Sequence, residues 1–599
     1  METFPARPRR AAIADVLGRR VTLNSGPEAF HIAGPFQAGT ERAPVLVLGT
    51  GPEPDALAAE LARHTETTAG SIITDSIAAG NTIADSPAAG SPPIFWLDAP
   101  RVTAALREAL PAFPRVMPPH WQAVSPEEAL RLLPQARIYW FRQNCRVDEP
   151  FWRDVHGALL ALEGGVRREN RQGAEEGTSK RGRETLAAVP ASVAAVPASD
   201  TAMAATSAEP SPVTAPLCAP RPRSVLLPAD AGNLLSRELD AAFRELGFTP
   251  LPLPTRPDLP ALTALLERTQ PALCCSVNLR GFDGEGAVFH LLRACGVPCA
   301  LWLVDNPWHV LSAVSQPWWR ETALFVTDDS FIAPLRQYGG RQVQHLPLAA
   351  AQHMWGAHGG TVCPPPAAGR PPLLFVGSSR FAGKDQFFAA ARVPEALLHE
   401  GQARLRAGGR PDAAWWQAHL RETLWPGHGA RRVGLGAETC SQACRAAWLA
   451  AAAPLGLDVR GDAGWRTLLP PTVQLLPPVD YYTEVPALYR QAACTLNVTS
   501  LLLPHGLTQR HFDVWAAGGV LLTDPTPGLS LFPQELTRPI TVEQPAMLAE
   551  RLSGLLAQRH AAPARLHNLR HAWQEELQAR HSYTQRITTL LAAMKNMTE

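Results

Sequence analysis

Lysine is almost missing from this sequence: Lys180, Lys384 and Lys595 are the only three among 55 basic residues, and the rest are arginine. Such a skew follows a GC-rich coding bias, so arginine abundance alone carries no functional argument. Charge of one sign is missing too. The formal net charge is +1, which excludes the electrostatic footprint of a dedicated nucleic-acid binder or a polybasic membrane binder. Cysteine is sparse, and ten in 599 residues exclude a disulfide scaffold. Cys274, Cys275, Cys295 and Cys299 lie in apolar contexts, with no second Cys or His pair at zinc spacing. They read as buried free thiols in a reducing compartment. Long hydrophobic runs are absent as well. Ala446–Ala453 stops at Pro454, too short for a membrane span. The opening "METFPARPRRAAIADVLGRR" has no signal-peptide core. These absences predict a cytoplasmic protein without a transmembrane segment.

What is present is length, 599 residues, enough for about three to five domains. Two low-complexity tracts divide them. A tandem decapeptide, "SIITDSIAAG" then "NTIADSPAAG", fills Ser71–Gly90 and reads as a surface insertion. Arg167–Glu184 mixes charges without apolar periodicity, and Ala187–Pro220 is almost wholly Ala, Pro, Ser, Thr and Val. Neither buries enough apolar surface to offset chain entropy, so together they predict a flexible linker. The expected plan is an extension (1–43), a small α/β domain (44–164, with an insertion at 65–92) and a linker (165–222). Two larger units follow, 223–362 and 371–599.

In the small domain "PVLVLG", "IFWL" and "RIYWF" read as strands between helical segments, and Ser125-Pro126-Glu127-Glu128 as a capped helix start. "GTGP" after the first strand has the glycines of a phosphate-binding turn but not the spacing, and serves equally as a structural turn. Past the linker, "SVLLP", "ALCCSVN", "CALWLVDN" and "LFVTDD" alternate with helical segments. After the Pro-rich joint Cys363–Pro372, "LLFVG", "LDVRG", "VQLLPP", "CTLNVTS" and "GVLLTD" do the same. Two doubly wound halves joined by a short hinge place a ligand between them, at the carboxyl ends of the strands.

Chemistry concentrates in Tyr481–Asp524. A helix expected over Thr508–Ala517 carries Gln509, Arg510 and Asp513 on its first turns, and Gly518-Gly519 close it. A helix N-terminus favours anions, Arg510 offers a bidentate phosphate partner, and Asp513 suits sugar hydroxyls. An Arg–Asp surface pair with a glycine C-cap explains the same residues. A second anion candidate is "FVGSSRFAGK": Gly377 turns the chain, Ser378 and Ser379 are placed to cap a following helix, and Arg380 and Lys384 bring positive charge. In the amino half Asp305 ends a strand and suits a general base. Asp328 and Asp329, at the next strand end, are alternatives that serve equally as helix caps, and Asp283 is a third, loop-based candidate. His309 and Trp308 are candidates to line the acceptor side. No metal-ligand cluster is visible.

"LNVTSLLLPHGLTQRHFDVWAAGGVLLTD", with "LF" at Leu531–Phe532 and "HSYTQR" at His581–Arg586, resembles the C-terminal domain of the CgeB-like spore-maturation glycosyltransferases, which are GT-B transferases built of two Rossmann-like domains. "LRGFDGEG", "LWLVDNPWHVL" and "VTDDSF" resemble their amino half. The likeness spans roughly Ser224–Leu591. It implies a nucleotide-sugar donor held by the C-terminal half, with Asp513 contacting the nucleoside and a basic pair such as Arg380 and Lys384 neutralising the diphosphate. His505, followed by Gly506, stands where many GT-B enzymes carry a second acid. The expectation is therefore a GT-B glycosyltransferase that passes a sugar from a nucleoside diphosphate to an acceptor hydroxyl of a glycan, protein or lipid, without metal. The small domain is free to dock a partner. A non-catalytic scaffold and a nucleotide-sugar epimerase are the alternatives.

Overall fold

A computed structural model describes residues 10–25, 29–37, 43–69, 92–110, 113, 117–165, 223–229, 235–355, 373–381 and 383–598. The tandem decapeptide, the linker tracts and the Pro-rich joint lie outside the described residues.

The amino-terminal domain has a five-stranded sheet ordered β3-β7-β4-β5-β6. Its strands are β3 (His31–Ala33), β4 (Val45–Leu48), β5 (Ile94–Leu97), β6 (Trp121–Ala123) and β7 (Arg137–Trp140). All pair in parallel except β3, which lies antiparallel on β7. The domain thus begins earlier than residue 44: β3 extends its sheet, and an antiparallel hairpin of β1 (Arg10–Ala14) and β2 (Arg20–Asn24) adds Ile13 and Leu23 to its core. The expected capping box forms, with Ser125 Oγ accepting from Glu128 N and Glu128 accepting from Ser125 N.

The second domain is a six-stranded parallel sheet ordered β13-β12-β11-β10-β8-β9. Its members are β8 (Arg223–Pro228), β9 (Phe248–Leu253), β10 (Leu273–Val277), β11 (Cys299–Leu303), β12 (Ala323–Val326) and β13 (Gln342–His345). β9, "FTPLPL", carries two prolines, which argue against a central strand. The structure places it at the sheet edge, where missing N–H donors are tolerated.

The third domain orders β14 (Leu373–Val376), β15 (Leu457–Arg460), β16 (Gln474–Leu476), β17 (Cys494–Asn497) and β18 (Leu521–Thr523) as β16-β15-β14-β17-β18, all parallel. Its first strand is central, so the direction of winding reverses between β14 and β17. In such sheets that point opens a crevice at the carboxyl ends.

One apolar core runs through the second and third domains. Trp425 shows how: its ring meets Trp319 edge-on at 5.3 Å, and its Nε1 donates to Val314 O at 2.8 Å. The terminal helix Tyr583–Thr598 crosses back to the second domain, where Thr584 Oγ1 donates to Glu245 at 2.6 Å and Arg586 Nε to Pro347 O at 2.8 Å. The amino-terminal domain is not left on a free tether. Its helix Glu149–Glu163 packs on Ala287–Ala294 so closely that a Cβ on Gly157 would fall 2.3 Å from the His290 carbonyl oxygen. The described cysteines are free thiols. Among the described residues no helix is long and apolar enough to cross a membrane.

Candidate functional site

Arg510 occupies the reversal point of the third domain. Its Nε donates to Asn497 Oδ1 at the end of β17, its Nη1 to Val376 O at the end of β14, both at 2.7 Å, and its guanidinium lies over Phe375. Both acceptors are neutral, so these bonds orient the charge without cancelling it. Burial pushes the Arg510 pKa down, the mark of a cation held where water does not screen it. Gly377 lies beside it: a Cβ there would meet Phe375 at 3.2 Å and Arg510 Nη1 at 3.4 Å.

Two more cations converge on the loop after β14. Arg445 donates to Ser378 O and Ser379 O, each at 3.3 Å. It shares Glu438 with Lys384, whose Nζ stands 3.5 Å from that carboxylate. Two acids, Glu438 and Asp462, against Arg445, Lys384 and Arg510 leave the end of β14 net positive, and a diphosphate fits that balance. The sequence reading missed Arg445 and Asn497, since nothing local marks a residue deep in a long helix or at a strand end as part of a loop's charge. Arg380 is exposed and pairs with Asp385 at 2.5 Å.

Other expectations change. The helix carrying Arg510 runs only Arg510–Ala516, and its start is folded back on itself, with His511 Nδ1 accepting from Thr508 N at 3.0 Å. That bond occupies the Thr508 N–H at the entry to the helix. Gly518 (φ 80°) closes that helix, and a Cβ on Gly519 would lie 2.6 Å from Tyr489 O. The pair approaches protein backbone rather than a ligand. Ser379 caps no helix: its Oγ donates to Asp462 at 2.6 Å, and the next helix starts only at Lys384. Gly506 sits in a buried turn where a Cβ would meet Leu503.

Asp513 is buried in a polar hub. Tyr481 Oη donates to it at 2.6 Å, Gln509 Nε2 at 2.9 Å and Ala351 N at 3.2 Å. Gln509 Nε2 also donates to Ala349 O, and its Oε1 accepts from Tyr583 Oη. Desolvation raises the Asp513 carboxyl to about 7 against these donors. The hub ties the end of the second domain, the third domain and the terminal helix together, and both carboxylate oxygens of Asp513 are taken up by protein donors.

On the facing wall Asp305 ends β11. Its Oδ2 accepts from Asn278 Nδ2 at 2.7 Å, and Asn278 itself holds φ 51° at the end of β10. Asp305 reaches solvent, and desolvation by the surrounding protein raises its pKa. A carboxylate oriented on one oxygen with a raised pKa has the character of a general base. Asp283 has none of that freedom: it accepts four backbone N–H groups at the start of Ala287–Ala294. Asp328 caps Ser330 N. His309 does not line an open acceptor site. It packs between Phe387 and Phe388 against Gly434, and burial pushes its pKa down to about 4. Trp308 is core, against Tyr338.

The two walls touch. Asn306 Nδ2 donates to Leu502 O at 2.8 Å, His505 N to Asp328 at 2.9 Å, and His505 Nδ1 lies 2.8 Å from Asp329. The ligand-type atoms of Asp328, Asp329 and His505 lie within 4.8 Å of one another, the one such group among the described residues. In the amino-terminal domain the "GTGP" turn is already filled. Thr50 Oγ1 donates to Asp98 at 2.6 Å, and a Cβ on Gly49 would lie 2.4 Å from Asn144 Nδ2.

Two Rossmann-like domains closed face to face, with a cationic reversal point on one wall and a carboxylate at a strand end on the other, form a GT-B architecture. Residues 442–592 match the family model described as "Glycosyl transferase-like", which supports a glycosyltransferase. A comparison with curated proteins gives no match. Among solved structures the chain is similar to Anabaena HepE in complex with UDP-glucose, at 10% identity over 62% of this chain and 99% of that one, with TM-score 0.36. It is similar to sucrose-phosphate synthase of Thermosynechococcus elongatus at 13% identity over 63% and 98%, TM-score 0.36. T4 phage BGT in complex with its UDP-glucose substrate gives 10% identity over 62% and 99%, TM-score 0.36.

Proposed function

We propose that the chain is a CgeB-like glycosyltransferase of the cytoplasm that moves a hexose from a nucleoside-diphosphate sugar to an acceptor hydroxyl. The observation that carries this reading is Arg510, fixed by neutral acceptors across the ends of β14 and β17, inside the segment that matches the transferase family. Arg510, Lys384 and Arg445 hold the departing diphosphate, the acceptor hydroxyl gives its proton to Asp305, and the hydroxyl oxygen attacks the anomeric carbon. UDP-glucose in the complexes of Anabaena HepE and T4 phage BGT makes it the first donor to try.

Three cations already meet the diphosphate, so transfer proceeds without a divalent ion. The test is release of nucleoside diphosphate from a panel of nucleotide sugars by purified protein, with and without chelator. Release from at least one donor, unchanged by chelator, is the expected result. No release from any donor, with or without added acceptors, favours a binding protein, and the closed crevice with its occupied Asp513 is the observation on that side. Loss of release with chelator moves attention to Asp328, Asp329 and His505. Interconversion of the donor sugar without transfer identifies an epimerase.

A further inference from the structure

The seam between the amino-terminal and second domains encloses a cavity of about 260 Å³, lined by Arg142, Arg146, Glu149, Arg153, Glu285 and His290 among others. Several buried polar groups there lack protein partners, while Glu285 at the rim accepts from Ser315 Oγ at 2.8 Å and Gln316 Nε2 at 3.3 Å. Glu149 is 2% exposed and His290 1% exposed. Neither carboxylate oxygen of Glu149 accepts a hydrogen bond, and Nδ1 of His290 makes none. The closest charged atoms, Arg153 Nη2 and His290 Nε2, stand 3.5 and 3.4 Å from Glu149. Trp152 Nε1, on a further lining residue, and Arg153 Nε are donors without acceptors. Buried polar atoms are normally paired, so unpaired acceptors and donors around one space point to a missing partner that supplies both.

The charges choose among ligands. An anion would be set against Glu149 and Glu285, and an ammonium group against Arg142, Arg146 and Arg153. A hydroxyl answers both, since it donates to a carboxylate while accepting from a guanidinium or indole N–H. The volume falls just below the ~300–1,000 Å³ of ordinary ligand clefts, which fits one ring rather than a chain. Burial raises Glu149 to about 7 and pushes His290 down, so near neutral pH the Glu149 carboxyl is part ionised and can accept from a hydroxyl or donate to one.

We propose that this cavity binds a neutral, hydroxyl-rich ring, a single pyranose unit that is free or ends a glycan, between Glu149 and Glu285 with the arginines completing its hydrogen bonds. Both domains build the site, so its occupant fastens the amino-terminal domain to its neighbour. The inference rests on this cavity alone and not on the transferase reading. Saturation-transfer NMR on the full chain tests it, with the methyl pyranosides of glucose, galactose and mannose as probes. Transfer to at least one probe is expected, undisturbed by excess UDP, and with affinity about tenfold weaker in both Glu149→Gln and Glu285→Gln. Glu285 is exposed, so Glu285→Gln decides the matter if Glu149→Gln does not fold. No transfer to any probe, transfer that survives the substitutions, transfer displaced by UDP, or transfer displaced by inorganic phosphate would each overturn the proposal.

Discussion

At the scale of the residue, two carboxylates show what environment does to one functional group. Asp305 keeps an oxygen free at a strand end, whereas Asp513 spends both on neighbours. Asp305→Asn preserves the shape and a bond to Asn278 and removes the base, so turnover should fall about 10²–10⁴-fold with melting unchanged. Equal turnover would dismiss Asp305. Asp513 answers to pH instead. Its carboxyl rises from 3.8 to about 7 on folding, so the folded state holds the proton more tightly than the unfolded one. The stabilisation is complete below pH ~4 and is lost as pH rises through about 7. Asp513→Asn has no such proton to lose, so its melting temperature relative to the parent should climb between about pH 4 and 7 and level off above. A constant difference would mean that Asp513 is already ionised when buried. Arg510, Asp513, Lys384 and Asp305 were legible in the sequence as candidates, and the structure places Arg510 and Asp305 by strand ends and Lys384 and Asp513 in the first turns of helices. Their partners Asn497, Tyr481, Arg445 and Asn278 were not, because each is brought in by tertiary contact from a distant segment.

At the scale of the element, strands were read well because buried parallel strands are short, dense apolar runs between turn residues. Errors fell where local chemistry had a second use. Thr508–Ala517 looked like one amphipathic helix, yet His511 turns back to Thr508 and shortens it to Arg510–Ala516. His309 followed a strand as a cleft residue would, and instead fixes its short helix, Pro307–Leu311, to the long helix Gly429–Ala452. A Cβ on Gly434 would fall 1.9 Å from His309 Nε2. Gly434→Ala should therefore cost about 1–3 kcal/mol by overpacking. His309→Ala in the same chain should recover much of that, because the two side chains would no longer compete for one space. Denaturant titration of the two single variants and the double variant measures the coupling. Strict additivity would show that the helices do not meet there in solution.

For the whole molecule, function depends on what the closed crevice costs to open. Three of the bonds that hold it are Asn306 to Leu502, and His505 to Asp328 and Asp329. Only the His505–Asp329 bridge is exposed on both sides, at 40% and 54% of the two side chains, so it contributes little to stability and can still bias an opening equilibrium. Asp329→Asn weakens that bridge while leaving the Asp328 cap in place. If the crevice must part to admit a donor, the variant should exchange amide protons faster around 328–330 and 502–506 than elsewhere. It should also bind UDP more tightly, because less of the binding energy goes to opening. Tyr481, Gln509, Asp513 and Tyr583 tie the two domains through a separate, buried hub and should keep their protection, acting as the pivot. Uniformly faster exchange across both domains would instead mean that His505 and Asp329 hold up the fold itself. Unchanged exchange with unchanged affinity would place the route for the donor elsewhere on the molecule.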